Sequence, residues 1–294
     1  MDLAYLRAHP HHLPTFLTHQ RIRETPVGGG SICAASRLTL DDGASLFAKS
    51  WPRGQAPPGF FAAEAAGLRW LAEAGAPVPE VLAELPDLLI LEWLDPGTAT
   101  AAGAFAFGRA LAELHRAGAP RFGTRQPGYI GALPLPPETG DSWPEWFARA
   151  RLAPFLSMSA DNGALSADDV RAVERLLATI RRYAGEAADE PPARIHGDLW
   201  PGNVLWSSTG RGYLVDPAAQ GGHRETDLAT LSLWGGVPYL DRVLAGYEEV
   251  WPLAPGWRDR VPLHQLHLLL VHTAMFGASY RGAVLSAVRA TVKE

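Results

Sequence analysis

His196-Gly-Asp-Leu-Trp-Pro-Gly-Asn203, followed thirteen positions after Asn203 by Asp216 at the end of Tyr213-Leu-Val-Asp, decides how this chain is read. An aspartate can accept or orient the proton of a hydroxyl. An asparagine and a second aspartate converging on one point offer hard oxygen ligands, which suit Mg²⁺ because it takes few protein ligands and leaves room for phosphate oxygens. Short strands are expected near 194–196, 204–206 and 213–215, and a hairpin of that length returns Asp216 alongside Asn203. Taken singly, these residues are ordinary turn and strand-end residues. In this order and spacing, Asp198 and Asn203 match the catalytic loop of phosphoryl-transfer enzymes, with Asp216 as the second metal residue.

The basic residues supply the next clue. Of 26 Lys and Arg, only Lys49 and Lys293 are lysine, so a lysine kept inside the chain needs a reason. Lys49 ends a strand that follows Gly28-Gly29-Gly30 and a hairpin over Asp41-Asp42-Gly43. Glu64 lies fifteen residues further, in the first turns of the next helix. Glycines let backbone N–H groups approach phosphate oxygens. A compact ammonium can sit between two phosphates and still reach a carboxylate, where the planar guanidinium of arginine cannot. The apolar strand 88–94 then runs toward a break at Asp95-Pro96-Gly97, and backbone groups near Glu92 and Leu94 are placed to hydrogen-bond adenine.

Composition narrows the class. Hydrophobic residues are 47% and charged residues 19% of 294, a globular balance long enough for two lobes. A net charge of −5 argues against nucleic acid as partner. One cysteine, no apolar leader and no run of ~20 apolar residues lead us to expect a soluble, cytoplasmic protein with no membrane partner.

The expected elements are strands over 32–40, 44–50, 78–84 and 88–94 and a helix over 60–74. Further helices are expected over 101–116, 143–156 and, opened by a Ser166–Asp169 capping box, 170–183. Helices should fill the chain from Asp227 on, with Asp227 as a cap. The fold class is therefore α+β, a two-lobed protein-kinase-like plan. A small mixed-sheet lobe (1–94) binds nucleotide, and a larger helical lobe (95–294) carries the catalytic loop and substrate site, with a hinge near 93–96.

Weaker features complete the reading. His223, Arg224 and Glu225 fall just past Asp216, at the expected mouth of the cleft, and either bind substrate or form a salt-bridged loop. Only eleven residues separate Asp216 from Asp227, too few for a long activation segment, so a small acceptor is favoured. His264, His267 and His272 read as core or surface histidines rather than zinc ligands. His9, His11 and His12 offer only adventitious metal binding. Cys33 reads as inert, and the tryptophans of 142–147 as core anchors.

With these residues in place, the sequence resembles the fructosamine kinase (ketosamine-3-kinase) family, related to aminoglycoside and choline kinases. The resemblance rests on Gly28-Gly-Gly-Ser-Ile32, Phe61-Ala-Ala-Glu64, Gly128-Tyr-Ile-Gly131, residues 143–152, the loop His196 to Asn203 with its Leu199-Trp200, and Asp216-Pro-Ala218 with Gly222-His-Arg-Glu225. It implies ATP- and Mg²⁺-dependent phosphorylation of the 3-hydroxyl of a ketosamine, free or protein-bound, and repair of glycated amines. Bacterial-type members look better suited to ribulosamines and similar short-sugar adducts. Carried over, Asp198 is the base, Asn203 and Asp216 hold the metal, Lys49 with Glu64 positions phosphates, and Trp200 faces the substrate. Ser31 stands where many relatives have the cysteine of a redox switch, and Gln220-Gly221 stands where relatives often carry aromatics. The alternatives are an aminoglycoside or other small-amine kinase, which an acidic acceptor pocket would favour, and a non-catalytic pseudokinase.

Overall fold

A computed structural model describes residues 2–12, 15, 22–28 and 32–292. After a short helix α1 (Leu3–Ala8), five strands form one antiparallel sheet: β1 (Arg23–Val27), β2 (Ala34–Thr39), β3 (Ser45–Ser50), β4 (Val81–Leu85) and β5 (Leu88–Glu92), in the order β1-β2-β3-β5-β4. Helix α2 (Phe60–Glu73) links β3 to β4. Strand alternation assigns the faces. Leu46, Ala48 and Ile90 pack with Leu6 of α1, whereas Leu89 and Leu91 pack with Phe61, Ala65 and Leu68 of α2. Lys49, out of phase with Leu46 and Ala48, is thereby turned toward α2 and Glu64.

Two elements here were not expected from the sequence. Strand β1 is an edge strand whose side chains are mostly exposed, and it contains Pro26, so it carries neither apolar alternation nor a full set of ladder donors. Helix α1 spans only six residues and buries one of them, Leu6. Gly29 and Gly30 of the glycine turn lie outside the described residues.

The rest of the chain is mainly helical. Helix α3 (Ala101–Arg116) has the expected bounds. Short strands β6 (Phe122–Gly123), β7 (Gly128–Ile130), β8 (Leu133–Leu135) and β9 (Thr139–Gly140) follow, too brief to show a periodicity. The expected helix over 143–156 divides into α4 (Trp143–Trp146), a π-helical turn (Phe147–Leu152) and α5 (Ala153–Asp161). Pro154 explains the break. It has no N–H to offer the carbonyl four residues back, and Ala150 O accepts Arg151 Nη1 at 2.8 Å instead.

The Ser166–Asp169 box opens α6 (Ala167–Leu177), and α7 (Ile180–Ala184) completes the segment expected as one helix. Next come β10 (Ala193–Ile195), the hairpin β11 (Val204–Trp206) and β12 (Gly212–Leu214), β13 (Gln220–Gly222) and α8 (Arg224–Thr230). The last helices are α9 (Leu240–Val250), α10 (Trp257–Phe276) and α11 (Arg281–Val292). The helical run Trp257–Val292 is long and apolar enough to cross a membrane by length and composition alone. In this fold Leu263, Leu266, Leu268, Leu269, Leu270 and Val271 of that run are buried in the large core.

Helices α3 and α9 pack backbone to backbone. A Cβ on Gly108 would lie 1.9 Å from Val243 O, and one on Gly246 2.1 Å from Phe105 O. That contact fixes the position of His115 near the end of α3.

Arg281 of α11 donates to both oxygens of Asp169, at 2.6 and 2.9 Å, while Ser166 N and Oγ donate to Oδ2. The Arg281 hydrogen bonds, the largest influence, hold the Asp169 carboxyl below the usual carboxylate range. Its contribution to stability is therefore complete above the unfolded-state value of about 4 and is lost as pH falls through its lower folded value. Asp169→Ala is expected to cost about 1–2 kcal/mol at pH 7. Urea titrations should show the gap to wild type narrowing toward pH 3.

Candidate active site

Strand β10 delivers the chain into the loop His196–Asn203, and the fold secures that loop from beneath. Asp227, the fourth residue of α8, does not cap its own helix as expected; His223 holds that position. Its carboxylate instead accepts His196 N (2.7 Å) and Gly197 N (3.0 Å), and His115 Nε2 lies 3.1 Å from Oδ2. His115 Nδ1 meets Tyr247 Oη at 2.9 Å. Burial alone would raise the Asp227 carboxyl, but His115 and its other partners outweigh burial and lower it, so it stays ionised. His196 Nδ1 accepts Asp198 N at 3.2 Å, which leaves the proton on Nε2 to donate to Val215 O at 2.8 Å. Burial lowers the His196 pKa and favours that neutral tautomer.

The hairpin β11–β12 then sets the distance between the oxygen donors. Val204 pairs with Leu214, and Val215 N donates to Asn203 O at 3.1 Å. Asn203 Nδ2 donates to Asp198 O (2.8 Å) and Oδ2 (3.1 Å), so its Oδ1 is turned away from both and accepts nothing among the described residues. Asp216 sits at φ 55°, a conformation uncommon for a residue with a side chain, which aims its carboxylate across the cleft. Lys49 Nζ bridges the lobes there, 2.8 Å from both Glu64 Oε2 and Asp216 Oδ1. Burial by itself would lower the lysine, but the two carboxylates more than offset it and hold it above its ordinary value. Burial raises the Glu64 carboxyl, with Lys49 opposing, and its Oε1 has no partner. Burial, reinforced by Asp216, also raises Asp198 well above the usual carboxylate value. Asn203 Oδ1 and the Asp216 carboxylate form an oxygen set that fits a hard divalent cation such as Mg²⁺.

These groups line a cleft of about 1340 Å³. Gly28, Glu92 and Leu94 line it too, and the Leu94 backbone has no hydrogen bond among the described residues, leaving it available to a base edge. The connection at 95–97 is stitched to the hairpin by Gly97 N to Trp206 O (2.8 Å) and Ser208 N to Asp95 O (2.7 Å). Cys33 lines the cleft as well. Burial pushes its thiol up to about 11, which disfavours the reactive thiolate.

One sequence expectation is corrected. His223, Arg224 and Glu225 are buried and do not reach the cleft mouth. His223 Nε2 donates to Ala187 O, Arg224 clasps Glu190 and lies 4.1 Å from the centre of the Trp251 ring, and both Glu225 oxygens accept from Arg260. Of the two readings left open, the salt-bridged one describes them; they anchor α8, which carries Asp227. His223, Glu225 and His264 place ligand atoms within 4.8 Å of one another. Yet Arg260 occupies the carboxylate, and His223 Nδ1 accepts Glu225 N, so this cluster has no set of free lone pairs for a metal.

One side of the cleft is aromatic. Trp200 meets Trp234 edge-on at 5.4 Å, and Trp234, His272, Phe276 and Tyr280 form a continuous ring cluster. Trp200 lines the cleft with them, whereas the sequence reading assigned none of the other four to it. Trp234 holds φ 49° and is 41% exposed, and the only local signal of its unusual position is Gly235-Gly236 just after it. His264 and His267 are buried in the core as expected, while His272 lines the cleft.

With this geometry described, comparison with known proteins places the chain. The sequence profile of the fructosamine kinase family matches residues 11–294. A protein named a probable ketoamine kinase from Enterococcus faecium is 35% identical over 267 residues, covering 88% of this chain and 91% of its own. A crystal structure described as a candidate fructosamine-3-kinase from Thermobifida fusca superposes with a TM-score of 0.88 at 47% identity, covering 94% and 96% of the two chains. A choline/ethanolamine kinase family protein from Mesorhizobium loti shares the fold alone, with a TM-score of 0.65 at 20% identity over 99% of this chain and 93% of its own. The chain belongs to the fructosamine kinase family and is an ATP-dependent kinase that transfers a phosphoryl group to a hydroxyl.

Proposed function

We propose that the acceptor is a ketosamine, phosphorylated on the hydroxyl next to its ketone (the 3-hydroxyl), and that the reaction serves to remove sugars from glycated amines. The observation that carries this reading is the Lys49–Glu64–Asp198–Asn203–Asp216 set opening onto an aromatic acceptor side. The acids lining the cleft among the described residues are Glu64, Glu92, Asp198 and Asp216, three of them in that set and Glu92 at the hinge strand. An aminoglycoside presents several ammonium groups and calls for carboxylates around them. Trp200, Trp234, His272, Phe276 and Tyr280 offer instead ring faces for the carbon skeleton of a glycated amine.

In this reading the hydroxyl lies against Asp198, which takes its proton as the oxygen attacks the γ-phosphorus and the bond to the β-phosphate oxygen breaks. The raised Asp198 pKa suits a group that must accept a proton and later release it. Lys49, braced by Glu64, holds phosphate oxygens, and the Leu94 backbone holds the base. Asn203 and Asp216 would hold Mg²⁺, which supplies positive charge to the phosphates when bound. Positioning and charge are most of what phosphoryl transfer asks of a protein. The product carries phosphate on the carbon next to the ketone. Loss of that phosphate with uptake of one water releases the free amine and a deoxydicarbonyl sugar.

ADP release with ribulosyl-lysine, fructosyl-lysine and kanamycin side by side tests the acceptor. Turnover of a ketosamine but not of kanamycin is expected, and the reverse would overturn the reading. Asp198→Ala is expected to lower kcat by about 10²–10⁴ with ATP affinity retained; unchanged turnover would remove Asp198 from the mechanism. Lys49→Arg keeps the charge but not the compact geometry. It should lose at least ~10-fold in kcat/KM for ATP, since its planar fork cannot meet Glu64 and phosphate from the same point.

A further inference from the structure

Arg151 is fully buried, and no carboxylate bonds to it among the described residues. Glu138 contributes charge from further away but is paired with Arg149. Such a guanidinium is costly unless its donors are satisfied. Arg151 meets that need with neutral oxygens. Nη1 donates to Ala150 O, the carbonyl freed by Pro154, and to Pro136 O, while the cation lies 4.7 Å from the centre of the Trp146 ring. Both Nε (2.7 Å) and Nη2 (2.5 Å) donate to one atom, Oε1 of Gln220.

This arrangement fixes the orientation of an amide. Because the guanidinium has only donors, the oxygen of Gln220 must face it, and the NH₂ must face the other way. Gln220 is 3% exposed and lines the cleft. Its Nε2 has no acceptor among the described residues, yet it is not one of the sealed unsatisfied atoms, which are Glu64 Oε1, Trp143 Nε1, His264 Nε2 and His267 Nε2. Strand pairing sets Gln220 opposite Ile195, and a Cβ on Gly197, the residue before Asp198, would lie 3.3 Å from that nitrogen. A donor beside Gly197, in the loop that carries Asp198, with no acceptor among the described residues calls for an oxygen on the bound acceptor.

We propose that Gln220 determines acceptor specificity. Its Nε2–H donates to the oxygen on the carbon adjacent to the reacting hydroxyl, which in a ketosamine is the ketone, and Arg151 is the positioning residue that turns it there. The inference rests on the ketosamine reading above. It also gives the buried arginine a purpose: the energetic cost of an uncompensated guanidinium is exchanged for a single amide orientation.

Gln220→Glu separates function from fold. The carboxylate gives Arg151 a counter-ion, so the melting temperature should hold or rise, while the N–H is lost and oxygen lone pairs face the acceptor. The expected result with ribulosyl-lysine is an acceptor KM raised at least ~10-fold with the KM for ATP within about twofold of wild type. If the carboxylate variant fails to fold, the double variant Arg151→Met/Gln220→Met, which removes the buried guanidinium together with the amide donor, carries the same expectation for KM. An acceptor KM within about twofold of wild type in a folded variant overturns the role of Gln220 while leaving the ketosamine reading standing. Wild type that turns over no ketosamine overturns both.

Discussion

The buried carboxylate of Asp227 carries the geometry of the cleft. Two consecutive main-chain N–H groups, of His196 and Gly197, end on its oxygens, and these would otherwise be unpaired donors in the interior. The loop cannot shift without exposing them. Everything at the site follows from that anchor: His196 ties the loop to Val215, Asn203 ties its own end to Asp198, and the hairpin brings Asp216 round to Lys49. The anchor is itself held, since α8 is clamped by the Arg224–Glu190 and Glu225–Arg260 pairs and His115 is placed by the glycine-mediated contact of α3 with α9.

The two lobes meet through apolar packing, Leu71 and Ala76 clustering with Phe107, Leu111 and Leu214, and through specific polar links. Lys49 crosses the cleft to Asp216, and the connection at 95–97 is bonded to the hairpin that follows Asn203. A shift of the sheet relative to the helices is therefore felt at the oxygen donors. The Lys49 ammonium stays charged in a buried place because it has two carboxylates. Glu64 gives up one lone pair to it, and its other oxygen, Oε1, is buried without a partner among the described residues.

Residue spacing made the residues that meet in the cleft legible, because the order His-Gly-Asp…Asn…Asp and one lysine in an arginine-rich chain are local patterns. The long elements were legible for the same kind of reason. Helix α3 is sixteen residues with apolar positions at helical spacing and Thr100 at its N-cap, and β3 and β5 alternate or run apolar. Strand β1, with Pro26 and exposed side chains, has no such pattern, and the π-helical turn depends on which group takes the carbonyl that Pro154 leaves free. Asp227 reads as a helix cap in sequence, where a capping aspartate and one that holds a distant loop look identical.

By itself, the sequence determined the two-lobed α+β plan, the loop His196–Asn203 with Asp216, and Lys49 with Glu64 as a pair, since periodicity and spacing are properties of neighbours along the chain. Tertiary structure alone decided that His223, Arg224 and Glu225 are buried supports, that one side of the cleft is a wall of rings drawn from three separate segments, and that Gln220 presents its oxygen to Arg151. Those outcomes depend on partners 30 to 70 residues away, such as Glu190, Arg260 and Arg151. Whether a charge is exposed, paired or buried is settled by what the fold packs against it, and no local pattern records that.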